Sequence, residues 1–169
     1  MDGDRNSKKP GMMVRFALYL LLGAAVLFAA EPGENRVAAS QAARDYMAAI
    51  DDGDLDRQME FWSQDPGVTS VIMGEIWQGK TNIRARSAEY VPVSKHMRNE
   101  LGEVMEMPLG QDTVLTIVPY RSVRRNPEDE RLKPFELESM LTLIWKQTVQ
   151  DWRIIHEHVS VKIAPPTGK

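Results

Sequence analysis

Apolar residues at Ala39, Ala43, Tyr46, Met47 and Ile50 recur at helical spacing, with Gln41, Arg44 and Asp45 between them. This pattern predicts an amphipathic helix. "DDGD" at 51–54 stops it, with Gly53 suited to the left-handed residue after a helix and Asp54 suited to cap the next one. Leu55, Met59 and Trp62 make one face of a second, short helix, and "QDPG" at 64–67 reads as a turn. The β-branched run "VTSVIMG" at 68–74 predicts a strand, Trp77–Gly79 a loop, and residues 80–91 a third helix ended by Pro92. Ile83, Ser87 and Tyr90 share a side of that helix.

Beyond Pro92 the period changes from helical to two. Strands are expected at about 95–107, 113–125, 135–148 and 151–163, separated by "PLGQD", "NPEDE" and "TVQD". Long strands joined by short turns make an antiparallel meander. The fold class is therefore α+β: three N-terminal helices covering one face of a curved sheet of four to five strands.

The first thirty residues follow neither pattern. Lys8, Lys9 and Arg15 precede "FALYLLLGAAVLFAA", residues 16–30, which carries no charge. As a helix that run spans roughly 22 Å at about 1.5 Å per residue, short of the roughly 30 Å of a bilayer core. A basic stretch followed by an apolar one of this length reads as a signal peptide, or as an N-terminal membrane anchor if uncleaved. Residues 31–35 read as a linker, 36–163 as the folded domain and 164–169 as a flexible tail. The domain is thus expected to be exported, periplasmic or otherwise extracytoplasmic.

Composition removes several chemistries. The net charge of −3 offers no global attraction to nucleic acid or anionic membrane, so no nucleic-acid partner is expected. Membrane contact is expected only through the N-terminal run. The absence of cysteine rules out disulfides, thiolate metal sites and a cysteine nucleophile.

The richest stretch is "DWRIIHEHVSV", residues 151–161. Strict alternation puts Trp152, Ile154, His156, His158 and Ser160 on one face, and Arg153, Ile155, Glu157, Val159 and Val161 on the other. The two histidines then lie about 7 Å apart along the strand. A catalytic zinc wants a third protein ligand, and nothing in the sequence fixes one, so no metal or cofactor is assigned. Lining a pocket, the imidazoles would donate, accept or exchange a proton near neutral pH.

Three helices followed by a bent sheet ending in Trp-apolar-apolar-His-x-His-x-Ser resembles the SnoaL-like branch of the nuclear transport factor two-like superfamily. The nearest flavour is the branch with the calcium/calmodulin-dependent kinase association domain. The matching pieces are "AARDYMAAIDDGDLDRQMEFWSQD", "IWQGKTNIRA" and "LTLIWKQTVQDWRIIHEHVS", which cover about residues 36–163. The resemblance implies a cystatin-like, cone-shaped antiparallel sheet wrapped around the three helices, with an open pocket. It does not imply an activity, because the fold hosts isomerases, dehydratases, cyclases and pure binding or dimerising domains. The arginines and the histidine that line the pocket of the kinase association domains correspond here to Leu143, Pro119 and Ile83, with Arg121 nearby.

Candidate ligand contacts are Trp62, Trp77, Tyr90, Tyr120, His156 and His158, with Tyr46 as a further aromatic from the first helix. Glu136 and Glu138 share a face with Met140, Thr142 and Ile144 and would serve as bases if buried. The favoured expectation is a non-enzymatic, dimeric domain that holds a small apolar or anionic molecule. The alternative is an isomerase, dehydratase or hydrolase using His156 or His158 as acid/base with Tyr120 as oxyanion donor. A third reading is an assembly domain docking through the sheet face that carries Leu137, Leu141 and Leu143.

Overall fold

The computed structural model of the protein describes residues 38–94, 96–124 and 136–162, all within one compact unit. The apolar run at 16–30, the linker at 31–35 and the tail at 164–169 lie outside the described residues. So does the expected turn at 126–130.

Helix α1 (Ala39–Asp52) buries the expected stripe of Ala39, Ala43, Tyr46 and Met47. It stops at Gly53, whose φ of 65° lets its N–H close back on the Ala49 and Ile50 carbonyls. Asp54 caps α2 (Leu55–Glu60), its carboxylate accepting from the Arg57 N–H at 3.0 Å. Strand β1 (Thr69–Ile72) turns through Met73 and Gly74, both at positive φ as a two-residue hairpin requires, into β2 (Glu75–Gln78). The stretch expected to be a loop at 77–79 is therefore mostly strand.

Helix α3 (Lys80–Ser94) starts after Gly79 and runs two residues past Pro92. Proline forfeits only one hydrogen bond in a last turn that is ending anyway. The single strand expected at 95–107 divides into β3 (Met97–Leu101) and β4 (Met105–Pro108). Both pair with β5 (Thr113–Arg124), and the break falls opposite Pro119, which has no N–H to donate. Strands β6 (Glu136–Gln147) and β7 (Trp152–Val161) complete the meander.

The described strands form one sheet in the order β2-β1-β7-β6-β5-β3, with β4 also on β5. Seven strands replace the four to five expected, because β2 is added and the strand at 95–107 divides, and β1 joins the far edge of β7 in parallel. A parallel neighbour from the other end of the chain leaves no local signature in the sequence.

The curved sheet holds the helices against its inner face. Alternation along β5 and β6 turns Val114, Thr116 and Val118 and Leu141, Leu143 and Trp145 inward, where they meet α1, Met59 and Ile83. Trp145 Nε1 donates to Thr116 Oγ1 at 2.9 Å, so the indole is buried with its polar atom satisfied. Leu137 points inward too. The leucine row at 137, 141 and 143 is thus interior and is not a docking face. The outward positions are Leu115 and Ile117 on β5 and Met140, Thr142 and Ile144 on β6.

Candidate functional site

One residue decides what the quoted stretch does. Pairing along β6 and β7 is regular from Ser139↔Val161 to Ile144↔His156, and then jumps to Trp145↔Ile154. Ile155 is the extra residue of a β-bulge, so the parity of the strand reverses there. Trp152 and Ile154 point inward on one side of the bulge, and Glu157, Val159 and Val161 on the other. The bulge lies where β7 changes partner. The Ile154 N–H and C=O bond to Phe61 and Ser63, while β1 takes over from His156 onward.

The two histidines consequently stand on the outer face, and the expectation that they line the pocket is corrected. Thr69 Oγ1 lies 2.8 Å from His156 Nδ1, and burial, followed by the nearby His158, lowers the His156 pKa. His158 is exposed. Among the described residues no cluster of three or more His, Asp or Glu has the arrangement of a metal site.

Between them, Glu157 points into the domain and is 4% exposed. Its two oxygens accept hydrogen bonds from Tyr46 Oη on α1 at 3.0 Å and from Ser70 Oγ on β1 at 2.6 Å. Burial raises the Glu157 pKa, and the two donors only partly oppose the rise. Burial, then the adjacent carboxyl, pushes the Tyr46 hydroxyl well up.

Glu157 and Tyr46 belong to the wall of a cavity of about 330 Å³ between the inner sheet face, α1 and α3. Leu141, Val159 and Val161 form its sheet side, with Met47, Ile50 and Val91 from the helices. Met73 and Val93, both exposed, border the opening. Most of the wall surface is apolar, with Gln58, Ser87 and Ser94 among its polar side chains. Asp51 accepts from the Asn99 backbone and side chain, and Ser122 Oγ donates to Asn99 Oδ1 at 2.6 Å. Ser139 lines the wall opposite Tyr120 in the ladder, and its buried Oγ has no hydrogen-bond partner. Burial raises the Tyr120 pKa; the Ser139 hydroxyl, near but out of bonding geometry, opposes this, and Glu157 reinforces it.

The other sequence candidates divide. Trp77, Tyr90 and Tyr120 line the cavity, with Trp77 and Tyr90 in ring contact at 6.0 Å. Trp77 Nε1 donates to Glu75, and the Arg86 guanidinium lies 5.6 Å from the Trp77 ring centre. Trp62 is a core residue bridged to Ile154 and is not part of the lining. Glu136 and Glu138 are exposed and ion-paired with Arg121 and Lys162, so neither is a buried base. Arg121 lies in those surface pairs, and Leu143 and Ile83 are sealed in the core. The basic pocket of the kinase association domains is absent at these positions.

Sequence reasoning missed Glu157, Ser70, Asp51 and Ser139. For Glu157 a signal existed: an acid set among Ile155, Val159 and Val161 is a charge on an apolar face, which marks a buried group rather than a solvated one. Tyr46 and Ser70 lie 111 and 87 positions away in the chain.

The profile of the SnoaL-like domain matches residues 39–164, nearly the whole of the folded unit. The chain belongs to the SnoaL-like domain family. No curated relative matches it. Among solved structures, the SnoaL-like domain is similar to a candidate calcium/calmodulin-dependent protein kinase type II association domain from Thiobacillus denitrificans. That match has 20% identity and a TM-score of 0.62, and covers 72% of this chain and 93% of the other. A candidate dehydratase of the nuclear transport factor two-like family from Streptomyces avermitilis superposes with a TM-score of 0.63 at 18% identity, over 75% of this chain and 95% of that one. A cystatin-like protein from Caulobacter vibrioides gives 0.61 at 21% identity, with coverages of 75% and 87%. Likeness at these identities fixes the fold, an α+β domain with a curved, open sheet.

Proposed function

We propose that this SnoaL-like domain binds a small, predominantly apolar molecule in the cavity beneath its sheet. The observation that carries the reading is the cavity itself. Its volume of about 330 Å³ is bounded mainly by aliphatic and aromatic surface, with polar side chains set into it, among them a Ser139 hydroxyl left without a partner. The anionic ligand of the sequence reading loses support, because no Lys, Arg or His is among the described residues that line this wall. Nile red, a neutral probe, is expected to bind the full chain saturably at one site. Val159→Trp, which fills the cavity, is expected to abolish that site while circular dichroism stays unchanged. Unsaturable uptake, or equal uptake by the filled variant, would remove the reading.

A second reading, an isomerase, dehydratase or hydrolase, is favoured by one feature. A carboxyl whose pKa is raised by burial faces the cavity near Tyr120. In that case Glu157, not His156 or His158, carries the proton. Dimerisation through the outer sheet face and export behind residues 16–30 complete the proposal. The first is supported by exposed methionines on that face and the second by the basic-then-apolar order of the N-terminal residues.

A further inference from the structure

The cavity has an electrical sign. Its described lining contains two carboxyl groups, Asp51 and Glu157, and no Lys, Arg or His. Asp51 is engaged by Asn99 through both a backbone and a side-chain N–H. Glu157 meets the hydroxyls of Tyr46 and Ser70, and among the described residues no cation accompanies it. His156 and His158, its neighbours in sequence, are on the opposite face of the sheet, and Arg86 lies against Trp77 already paired with Glu75 and Glu89.

A carboxylate offers about four lone-pair sites, and two hydroxyls leave the others unused. A buried acid without a counter-charge is costly to ionise, and a cation arriving beside it offsets part of that cost. The rings of Tyr46, Trp77, Tyr90 and Tyr120 in the same wall add faces that attract positive charge.

The second polar anchor sets a length. Glu157 pairs with Leu143, and Ser139 stands four residues earlier on β6. The two levels are about 13 Å apart at roughly 3.3 Å per residue. Leu141 and Val159 form the wall between them, and Val161 stands at the level of Ser139.

We propose that the ligand is an apolar amine, its ammonium or protonated ring nitrogen against Glu157, its hydrocarbon body along Leu141 and Val159, and a hydrogen-bonding group reaching Ser139 Oγ. This inference rests on the binding reading above and narrows it to a chemical class. Binding couples to proton release. An ammonium group enters charged, Glu157 gives up its proton to solvent, and the pair that forms is neutral overall. Amine affinity therefore climbs as pH rises through the raised Glu157 pKa, then levels off until the amine itself loses its proton. Around Glu157, the groups that titrate are Tyr46 on α1 and Tyr120 on β5, both raised and so neutral through this range; Ser70 on β1 does not titrate.

Calorimetric titration of the full chain with 4-phenylbutylamine, 4-phenylbutanol and 4-phenylbutyrate separates the possibilities. The amine is expected to bind about tenfold or more tightly than the alcohol, the size of one charge-assisted hydrogen bond, with the carboxylate weakest. Glu157→Gln should erase the preference and leave the alcohol's affinity in place. Repeating the wild-type titration in buffers of different ionisation enthalpy reads the released proton without any variant. An alcohol that binds as well as the amine overturns the inference and leaves the apolar cavity standing. Failure of all three probes together with Nile red overturns both.

Discussion

Glu157 is an acid built into an apolar wall, and its energetics can be read without knowing the ligand. Burial raises its pKa, and the Tyr46 and Ser70 hydroxyls only partly offset the rise. A raised carboxyl pKa means that the folded state holds the proton where the unfolded chain has released it. Its contribution to stability is then fully present below the unfolded pKa of about 4.3. That contribution falls as pH rises toward the folded pKa, and is constant above it. The loss amounts to about 1.4 kcal/mol for each unit of elevation. Urea denaturation of the wild type and Glu157→Gln across pH 4 to 8 is expected to show this decline only in the wild type. The exposed carboxyls Glu75, Asp112 and Glu138, whose pKa values are lowered, cancel in the difference. Parallel stability curves for the two proteins would mean that Glu157 is not buried as described.

A single inserted residue in β7 decides which side chains matter. With Ile155 outside the ladder, the histidines turn outward and Glu157 inward. The double variant His156→Ala/His158→Ala is therefore expected to bind Nile red in the cavity like the wild type. Its loss of stability should be about 0.5–1.5 kcal/mol, the share of the Thr69 contact with His156, because His158 is exposed. Abolished binding with an intact fold would restore the unbulged strand. The same element shows where the sequence was legible. Signals set by neighbours a few residues apart came through: the α1 stripe, the Gly53 stop, the Asp54 cap and the long alternations of β5 and β6. The features that distant parts of the chain decide did not. The parallel seat of β1 beside β7 is one, and the change of β7 partner that accommodates the bulge is another. The site inherits that blindness, since Glu157 acquires its meaning only when α1 and β1 deliver Tyr46 and Ser70.

At the scale of the folded unit, the two faces of the sheet have different surroundings. The inner face encloses core and cavity, so the side chains free to meet a partner are the outer ones. Met105 and Met107 on β4 are 50% and 55% exposed, and Met140 on β6 is 42% exposed. They share a face with Leu115 and Ile117, which pair directly with Met107 and Met105. Contiguous apolar surface of this kind, carried on paired strands, supports the proposed association through this face. A second copy offering the same face would cover it with two-fold symmetry. Sedimentation velocity of the full chain is expected to give a dimer. Met107→Glu with Met140→Glu should yield a monomer that still binds Nile red, because the charges enter the interface and leave the cavity untouched. His156 stands on this face as well, with its pKa held low by burial and by His158. Acidification through that lowered value would put charge into the contact, so the dimer should loosen as pH falls. A wild-type monomer at concentrations well above the micromolar range would assign the methionine face to another partner and separate assembly from the work of the cavity.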